Sequence, residues 1–357
     1  MFMTFDSQTF TTDGMGNQLG KRLDHTYRTH DGKFVDSTGG FLVGELERLE
    51  MKLHEPLAAV TWGRDIDLRE DVTIADDVSS FTLSTYGSQG SLGTGNGIGT
   101  GKSWIGKDTT QISGLSLDIA KIPHPLRPWG MEIKYTILEL ESAAKLGRPI
   151  DQQKFAGLQL KYQMDIDEQV YIGDLTTGDT GLVNAQGVTT TNVPVGGQNN
   201  TAWALKTPDE ILDDVNLALT TTWQTAAWAV VPGRILLPPT TYGMIATRKV
   251  STAGNVSILS YVLENNLLAK TGQKRLEIYP VKWCIGAGIG GTIGTTALGT
   301  DAMIVYTKDP DRVRFPMTSL SRTPVQFDGI YQKSVYFGRL GVVEVVYPET
   351  IGVYSGI

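Results

Sequence analysis

Gly101, Lys102 and Ser103 end the segment NGIGTGKS, residues 96–103. A loop closing on Gly-Lys-Ser could do phosphate chemistry, with backbone amides and a lysine on the phosphates and a hydroxyl on Mg2+. That motif also requires a glycine five residues before Gly101, and Asn96 stands there. The setting fails too, because a phosphate loop runs from a buried strand into a helix N-terminus. Here STYGSQGSLGTG precedes the segment and SWIGKDTTQISG follows it. A second loop, GAGIGG at 286–291, satisfies the dinucleotide fingerprint formally, but the TIGTTALGT after it is too rich in threonine and glycine to hold the required helix. Both loops read as flexible connections. A nucleotide-binding enzyme using 96–103 or 286–291 is the alternative reading from a different functional class.

Other chemistry finds no constellation. The four histidines, His25, His30, His54 and His124, keep no metal-ligand spacing, and the single cysteine can build neither a zinc site nor an intramolecular disulfide. Cys284 follows Val281 and Trp283 and reads as a small buried hydrophobe. No GxSxG elbow occurs. The acidic pairs Asp213 with Asp214 and Asp165 with Glu168 read as solvated helix faces, and Trp203, Trp223 and Trp228 as core packing. No catalytic, cofactor-binding or metal residue is therefore assigned, no cofactor is expected, and the chain is not read as an enzyme.

Composition bounds the class of protein. Glycine is in excess, 41 of 357 residues or about 11% against roughly 7% in ordinary chains, and charge is sparse at 19%. The 40% apolar content still suffices for a core and rules out wholesale disorder. A net charge of −7 argues against sequence-specific nucleic-acid binding, which needs a basic face. No stretch reaches about 18 uninterrupted apolar residues, so no membrane partner is expected. MFMTFDSQTFTTDG lacks the basic flank and apolar stretch of a signal peptide, and a reducing cytosol is the expected site of synthesis.

The elements fall in a definite order. Residues 1 to 39 are a polar, glycine-dotted arm, and FLVGELERLEMKLHEP follows as a short amphipathic helix ended by Pro56. From Thr61 to Ile119, period-two runs flank a glycine-rich tip, which predicts a long two-stranded excursion too thin to bury a core of its own. PHPLRP is expected as a turn. A helical pattern then runs through Ile133, Ile137, Leu140 and Ala144 and resumes at Phe155, Leu158, Tyr162, Ile166 and Val170, with a break or kink near Gly147 and Pro149. Thr- and Gly-rich loops fill 175–201. Thr207, Pro208 and Glu210 then give a capping-box start to a helix with Ile211, Leu212, Val215 and Leu219 on one face. ILLPP, RLEIYPVKW, AMIVYT, SVYF and VVEVVYP read as strands, and TTYGMIA and SILSYVLENN as short helices. The fold class is α+β.

Four segments carry a resemblance: GELERLEMKLHEPLAAVTW; DEQVYIGDLTTGDTGLVN; TPDEILDDVN with RILLPPTTYGMIA; and DAMIVYTKDPDRVRFPM with GRLGVVEVVYPETIGVY. In that order they resemble the major capsid proteins of tailed phages, with the Hong Kong 97-type fold that encapsulins share. The resemblance implies an N-terminal arm at 1–40 and an E-loop at 61–119. It also implies a peripheral domain with the spine helix at 41–60, 120–179 and 303–340, and an axial domain at 180–302 and 341–357. It further implies self-assembly into hexamers and pentamers of an icosahedral shell around double-stranded DNA, contacted non-specifically. A separate scaffolding protein, a portal, and decoration or cement proteins would be partners, the virion head the location, and the host bacterial cytoplasm the site of assembly. An encapsulin-like compartment shell is the alternative within the fold. Some relatives weld an E-loop lysine to a neighbour's asparagine. Lys102 and Lys107 lie along the excursion, but no matching asparagine or acid is found, so both read as solvated lysines. The kink near Gly147 and Pro149 is the expected bending point during shell expansion.

Overall fold

In the computed structural model the described residues are 27–28, 34–35, 58–88, 107, 115–146, 150–251, 254–271, 275–289, 293 and 300–357. The chain divides into two units, Met1–Glu55 and Pro56–Ile357. In the first, β1 (Tyr27–Arg28) pairs antiparallel with β2 (Phe34–Val35). The expected helix at 41–56, and the rest of the arm, lie outside the described residues.

The second unit begins with α1 (Trp62–Asp65), β3 (Asp67–Arg69) and a long hairpin, β4 (Val78–Ser88) with β5 (Leu115–Pro125). Next come β6 (Arg127–Thr136), α2 (Ile137–Leu146), α3 (Ile150–Tyr171), β7 (Thr189–Asn192) and α4 (Pro208–Thr225). They are followed by β8 (Arg234–Leu237), α5 (Pro239–Thr247), α6 (Ile258–Asn265), α7 (Leu267–Thr271) and β9 (Glu277–Pro280). The chain ends through β10 (Ala302–Tyr306), β11 (Val313–Pro316), β12 (Ser321–Arg322), β13 (Gln326–Asp328), β14 (Tyr331–Leu340), β15 (Glu344–Val345) and β16 (Ile351–Ser355).

The core lies on both faces of a five-stranded sheet in the order β7-β16-β10-β8-β9. Its central strands, AMIVY and RILL, are buried throughout. A largely apolar run is what a strand covered on both faces requires, and alternate side chains go to opposite layers. Leu236, Ile304 and Tyr306 join Tyr162, Ile166 and Val170 of α3, whereas Ile235, Leu237, Met303 and Val305 join Ile211, Val215 and Leu219 of α4. Each large aliphatic side chain buried in this way contributes roughly 1.5–3 kcal/mol.

α4 starts as its sequence dictates. Thr207 accepts from the Glu210 amide at 3.4 Å, and Glu210 accepts from the Thr207 amide at 2.7 Å. Asp214 on this helix is a correction to the expected solvated face. It is buried, and its carboxylate takes the Trp203 indole N–H at 2.9 Å and the buried Lys206 ammonium at 2.5 Å. Lys206 also donates to the Pro194 carbonyl at 2.6 Å, so a buried charge is paired, as burial demands.

Residues 127–136 correct the expected helix. They form β6, antiparallel to β14 along its whole length, with Arg127 opposite Leu340 and Thr136 opposite Tyr331. The true period is two: Ile133 and Tyr135 are buried with Leu158 of α3, while Glu132 and Lys134 face out. The helix begins only at Ile137, where the Thr136 hydroxyl accepts from the Glu139 amide at 3.1 Å. PHPLRP is likewise not a turn. Pro123 and Pro125 belong to β5, which a two-stranded ladder with an open edge tolerates. Residues 147–149, where the kink is expected, lie outside the described residues, with α2 ending before them and α3 starting after. VVEVVYP contributes only the short β15, and the final strand is IGVYS.

Candidate assembly interface

The hairpin is fixed at its foot by buried charge. Glu344 in β15 is fully buried and accepts from Arg69 Nη1 at 3.2 Å, from Arg314 Nε at 2.7 Å and from the Ser79 hydroxyl of β4. The same Arg69 nitrogen donates to the Ser80 carbonyl at 3.2 Å. β3 runs parallel to β11 and β15 antiparallel to it, which brings Arg69, Arg314 and Glu344 together. On the other side of the foot, Leu126 donates its amide to the Asp77 carbonyl at 2.9 Å and Arg339 pairs with the Asp77 carboxylate at 2.6 Å. Phe81 is buried and stacks on His124 with ring centroids 5.7 Å apart. Burial holds the His124 imidazole below its usual range, against an opposing pull from Glu344 and Asp179.

Away from the foot the hairpin is bare. Directly paired residues of an antiparallel ladder project to the same face. The register sets Tyr86 opposite Leu117 and Ser84 opposite Ile119, with Leu115 at the end of the same row. Leu115, Leu117 and Ile119 are 70%, 55% and 62% exposed, and Tyr86 is 42% exposed. Alternation in β5 thus aims three aliphatic side chains at water from a ladder that has no third strand among the described residues. An apolar row of this kind marks a contact surface, since such a ladder is marginal alone.

Two further exposed apolar groups stand elsewhere. Ile330, in the β13–β14 turn, meets the start of α2, where the Ile137 amide donates to the Ile330 carbonyl at 3.0 Å; Ile137, Leu138 and Ile330 are exposed, as is Phe327 of β13. Past the end of α4, Ala227 and Trp228 have φ of 52° and 62°, a region that disfavours residues with a Cβ. Trp228 is exposed and meets Trp223 edge-on at 4.8 Å, while the buried Trp223 indole N–H has no partner among the described residues. Trp203 is core as expected; Trp228 is not.

The motif residues are placed as follows. Loop 96–103, with Lys102, lies outside the described residues, as do His25, His30 and His54. Lys107 sits exposed in a turn. Of 286–291 the described part follows a 3-10 turn at Lys282–Cys284, and its amides are spent: Gly286 donates to Asp301 at 3.0 Å and Gly288 to the Thr300 carbonyl at 2.8 Å. Cys284 is fully buried, and burial pushes its thiol up. No helix among the described residues is long and apolar enough to cross a membrane, and no described cluster of His, Cys, Asp or Glu could hold a metal.

The buried carboxylates Asp65, Asp167 and Glu344 were not legible in advance. Asp167 on α3 accepts from the Thr61 and Trp62 amides at 2.8 and 3.1 Å and from the Trp283 indole at 2.8 Å. The partners of Asp167 lie more than a hundred residues away, whereas Asp65 is held by the adjacent Arg64 as well as by Tyr171, and Glu344 by Arg314 thirty positions before it as well as by Arg69 and Ser79.

The family model described as Major capsid protein matches residues 101–357. The chain belongs to the major capsid protein family. Its fold is that of phage capsids. The capsid of Myoviridae phage XM1 superposes with a TM-score of 0.68 at 16% identity, over 88% of this chain and 98% of that one. The capsid of the native GTA particle gives 0.56 at 12% identity over 90% and 97%. Mycobacterium phage Che8 gives 0.52 at 11% identity over 86% and 96%. No curated protein matches the sequence significantly. This capsid protein is a subunit of an icosahedral head shell: its role is structural, its location the virion capsid, and its partner in the shell is itself.

Proposed function

We propose that β4–β5 is the clamp between neighbouring capsid subunits. Its apolar face lies on the adjacent subunit, and its foot, locked by Glu344, sets the angle at which it reaches across. One observation carries this: Leu115, Leu117, Ile119 and Tyr86 form an exposed row on a ladder whose base is held by buried ion pairs. Covering such a row gains about 25 cal/mol per Å2 of apolar surface. It also occupies edges that otherwise invite aggregation.

Within this reading, 1–40 is the arm and 61–119 the E-loop. Segments 41–60, 120–179 and 303–340 form the peripheral domain, and 180–302 with 341–357 the axial domain. Hexamers and pentamers tile the shell, and glycine-rich connections let one sequence fit both. Double-stranded DNA fills the head and is touched non-specifically; a separate scaffolding protein, a portal and a decoration protein complete it, and assembly takes place in the host bacterial cytoplasm. Electron microscopy of the purified full-length protein tests the reading. Round shells are expected, with DNA inside virions; shells loaded with an enzyme would point to a compartment protein instead. A protein that never assembles would overturn it.

A further inference from the structure

One end of the five-stranded sheet concentrates positive charge. β8 begins at Arg234, β9 is entered from Arg275, and β10 runs out into Thr307 and Lys308. The pairings of Arg234 with Glu277 and with Tyr306 set these three strand ends side by side. Between them lies a cavity of about 210 Å3, walled by Gly233, Arg234, Arg275, Glu277, Thr307 and Lys308. Three cationic side chains thus share the walls with a single carboxylate.

The partners of these groups differ in how far they are used up. Arg234 is nearly buried and fully engaged: it pairs with Glu277 through Nε at 3.1 Å and Nη2, and its Nη1 donates to the Arg64 carbonyl at 2.5 Å. That pair cancels the cavity's one negative charge. Lys308 donates to the Arg64 carbonyl at 2.9 Å and faces Asp67 at 3.2 Å, which leaves one ammonium proton unassigned. Arg275 is exposed and has no hydrogen-bond or ion-pair partner among the described residues. Thr307 is 6% exposed, and its hydroxyl has no partner among the described residues. A buried hydroxyl left unpaired is costly, and a guanidinium fork left empty beside an ammonium fits an anion that can take several donors at once.

We propose that this cavity is a binding site for a phosphate-sized oxyanion. Arg275 supplies a two-pronged contact, and Lys308, already paired with Asp67, supplies its remaining ammonium proton at the wall that Thr307 lines. Liquid water occupies about 30 Å3 per molecule, so the cavity has room for a tetrahedral anion and some of its hydration. Binding there ties the entry of β9 to the exit of β10 without help from a neighbouring subunit, so the inference does not rest on the clamp. A free phosphate ion and a phosphate of a nucleic-acid backbone share this chemistry.

Thermal unfolding of the full-length protein in inorganic phosphate, against chloride at equal ionic strength, tests the site. Phosphate also stabilises proteins generally by exclusion from their surface, an effect that does not saturate and that variants share. The expected result is a saturable rise in unfolding temperature for the native sequence, with apparent affinity weakened about tenfold or more in Arg275→Gln, the loss of one charge-assisted contact. Thr307→Val is expected to weaken it less, and both variants to unfold normally in chloride. A short DNA duplex then assigns the source. A comparable rise, lost in Arg275→Gln, places the site on nucleic acid, and no rise beside an intact phosphate response places it on the free ion. A non-saturating response, or one equal in the native protein and Arg275→Gln, overturns the proposal.

Discussion

Ser79, in the first strand of the hairpin, donates its hydroxyl to Glu344, 265 positions later and fully buried. One side-chain contact thereby joins the projecting ladder to the short strand beside β11. Arg69 and Arg314 donate to the same carboxylate, and Arg69 Nη1 also donates to the Ser79 hydroxyl at 3.0 Å. Glu344→Gln keeps the shape but leaves two arginines facing a neutral amide. Removing one partner of a buried ion pair costs about 3–5 kcal/mol. Urea unfolding of the unassembled subunit is expected to show a loss of that order, and hydrogen exchange at Ser79 to Phe81 is expected to quicken. An unchanged unfolding midpoint would mean that Glu344 does not hold the foot.

His124 gives the foot a pH dependence whose sign follows from burial. Its pKa in the folded subunit lies below the ordinary 6.5, so the unfolded chain binds the proton more readily. Stability from this group is complete above about pH 6.5 and is lost as pH falls toward the folded value. Unfolding measured from pH 7 to 5 is expected to show a shallower decline in His124→Gln than in the native sequence. Equal slopes would contradict this.

Gly181 sits where the chain turns back against the end of α3. A Cβ there would lie 2.3 Å from the Tyr171 carbonyl carbon and 2.5 Å from the Ile172 nitrogen, both backbone atoms that cannot swing aside. Overpacking of this kind costs typically 1–3 kcal/mol, and about 3 or more is expected here. Gly181→Ala should lower the melting temperature of the subunit sharply, whereas Gly178→Ala places its Cβ in open space and meets only the strain of φ +78°.

Trp228 is held outward by two successive left-handed residues, so its removal should cost the isolated subunit little. Exposed tryptophans are favoured anchors of protein interfaces, worth about 2 kcal/mol or more when buried by a partner. Trp228→Ala is expected to leave subunit unfolding within about 0.5 kcal/mol and to lower shell yield. Normal yield would show that this ring faces solvent in the shell.

Local chemistry was legible in the sequence, and distant pairing was not. Thr207, Pro208 and Glu210 announce α4 because a capping box is written within four residues, and the apolar runs of β8 and β10 announce central strands. Residues 127–136 misled because Ile133, Ile137 and Leu140 satisfy helical spacing, although Trp129, Met131, Ile133 and Tyr135 also alternate. The choice between the two periods is made by β14, two hundred residues on. Asp214 looked like a surface acid because its partners, Trp203 and Lys206, precede the helix that carries it. Of the excursion expected at 61–119, the ladder begins only at Val78; Trp62–Asp65 and Asp67–Arg69 instead form α1 and β3, and Ile66 between them is part of the core. The ladder's second strand runs on to Pro125, and its anchor at Glu344 depends on the register of β11 with β3 and β15.

If a neighbouring subunit buries the bare face of β4–β5, as proposed, the double variant Leu117→Asp, Ile119→Asp tests that contact most directly. Both side chains face solvent in the single subunit, so its melting curve should match the native one. Two carboxylates cannot be buried unpaired in a subunit contact, so electron microscopy should show folded subunits and no closed shells. Shells of normal number and diameter from this variant would contradict the account.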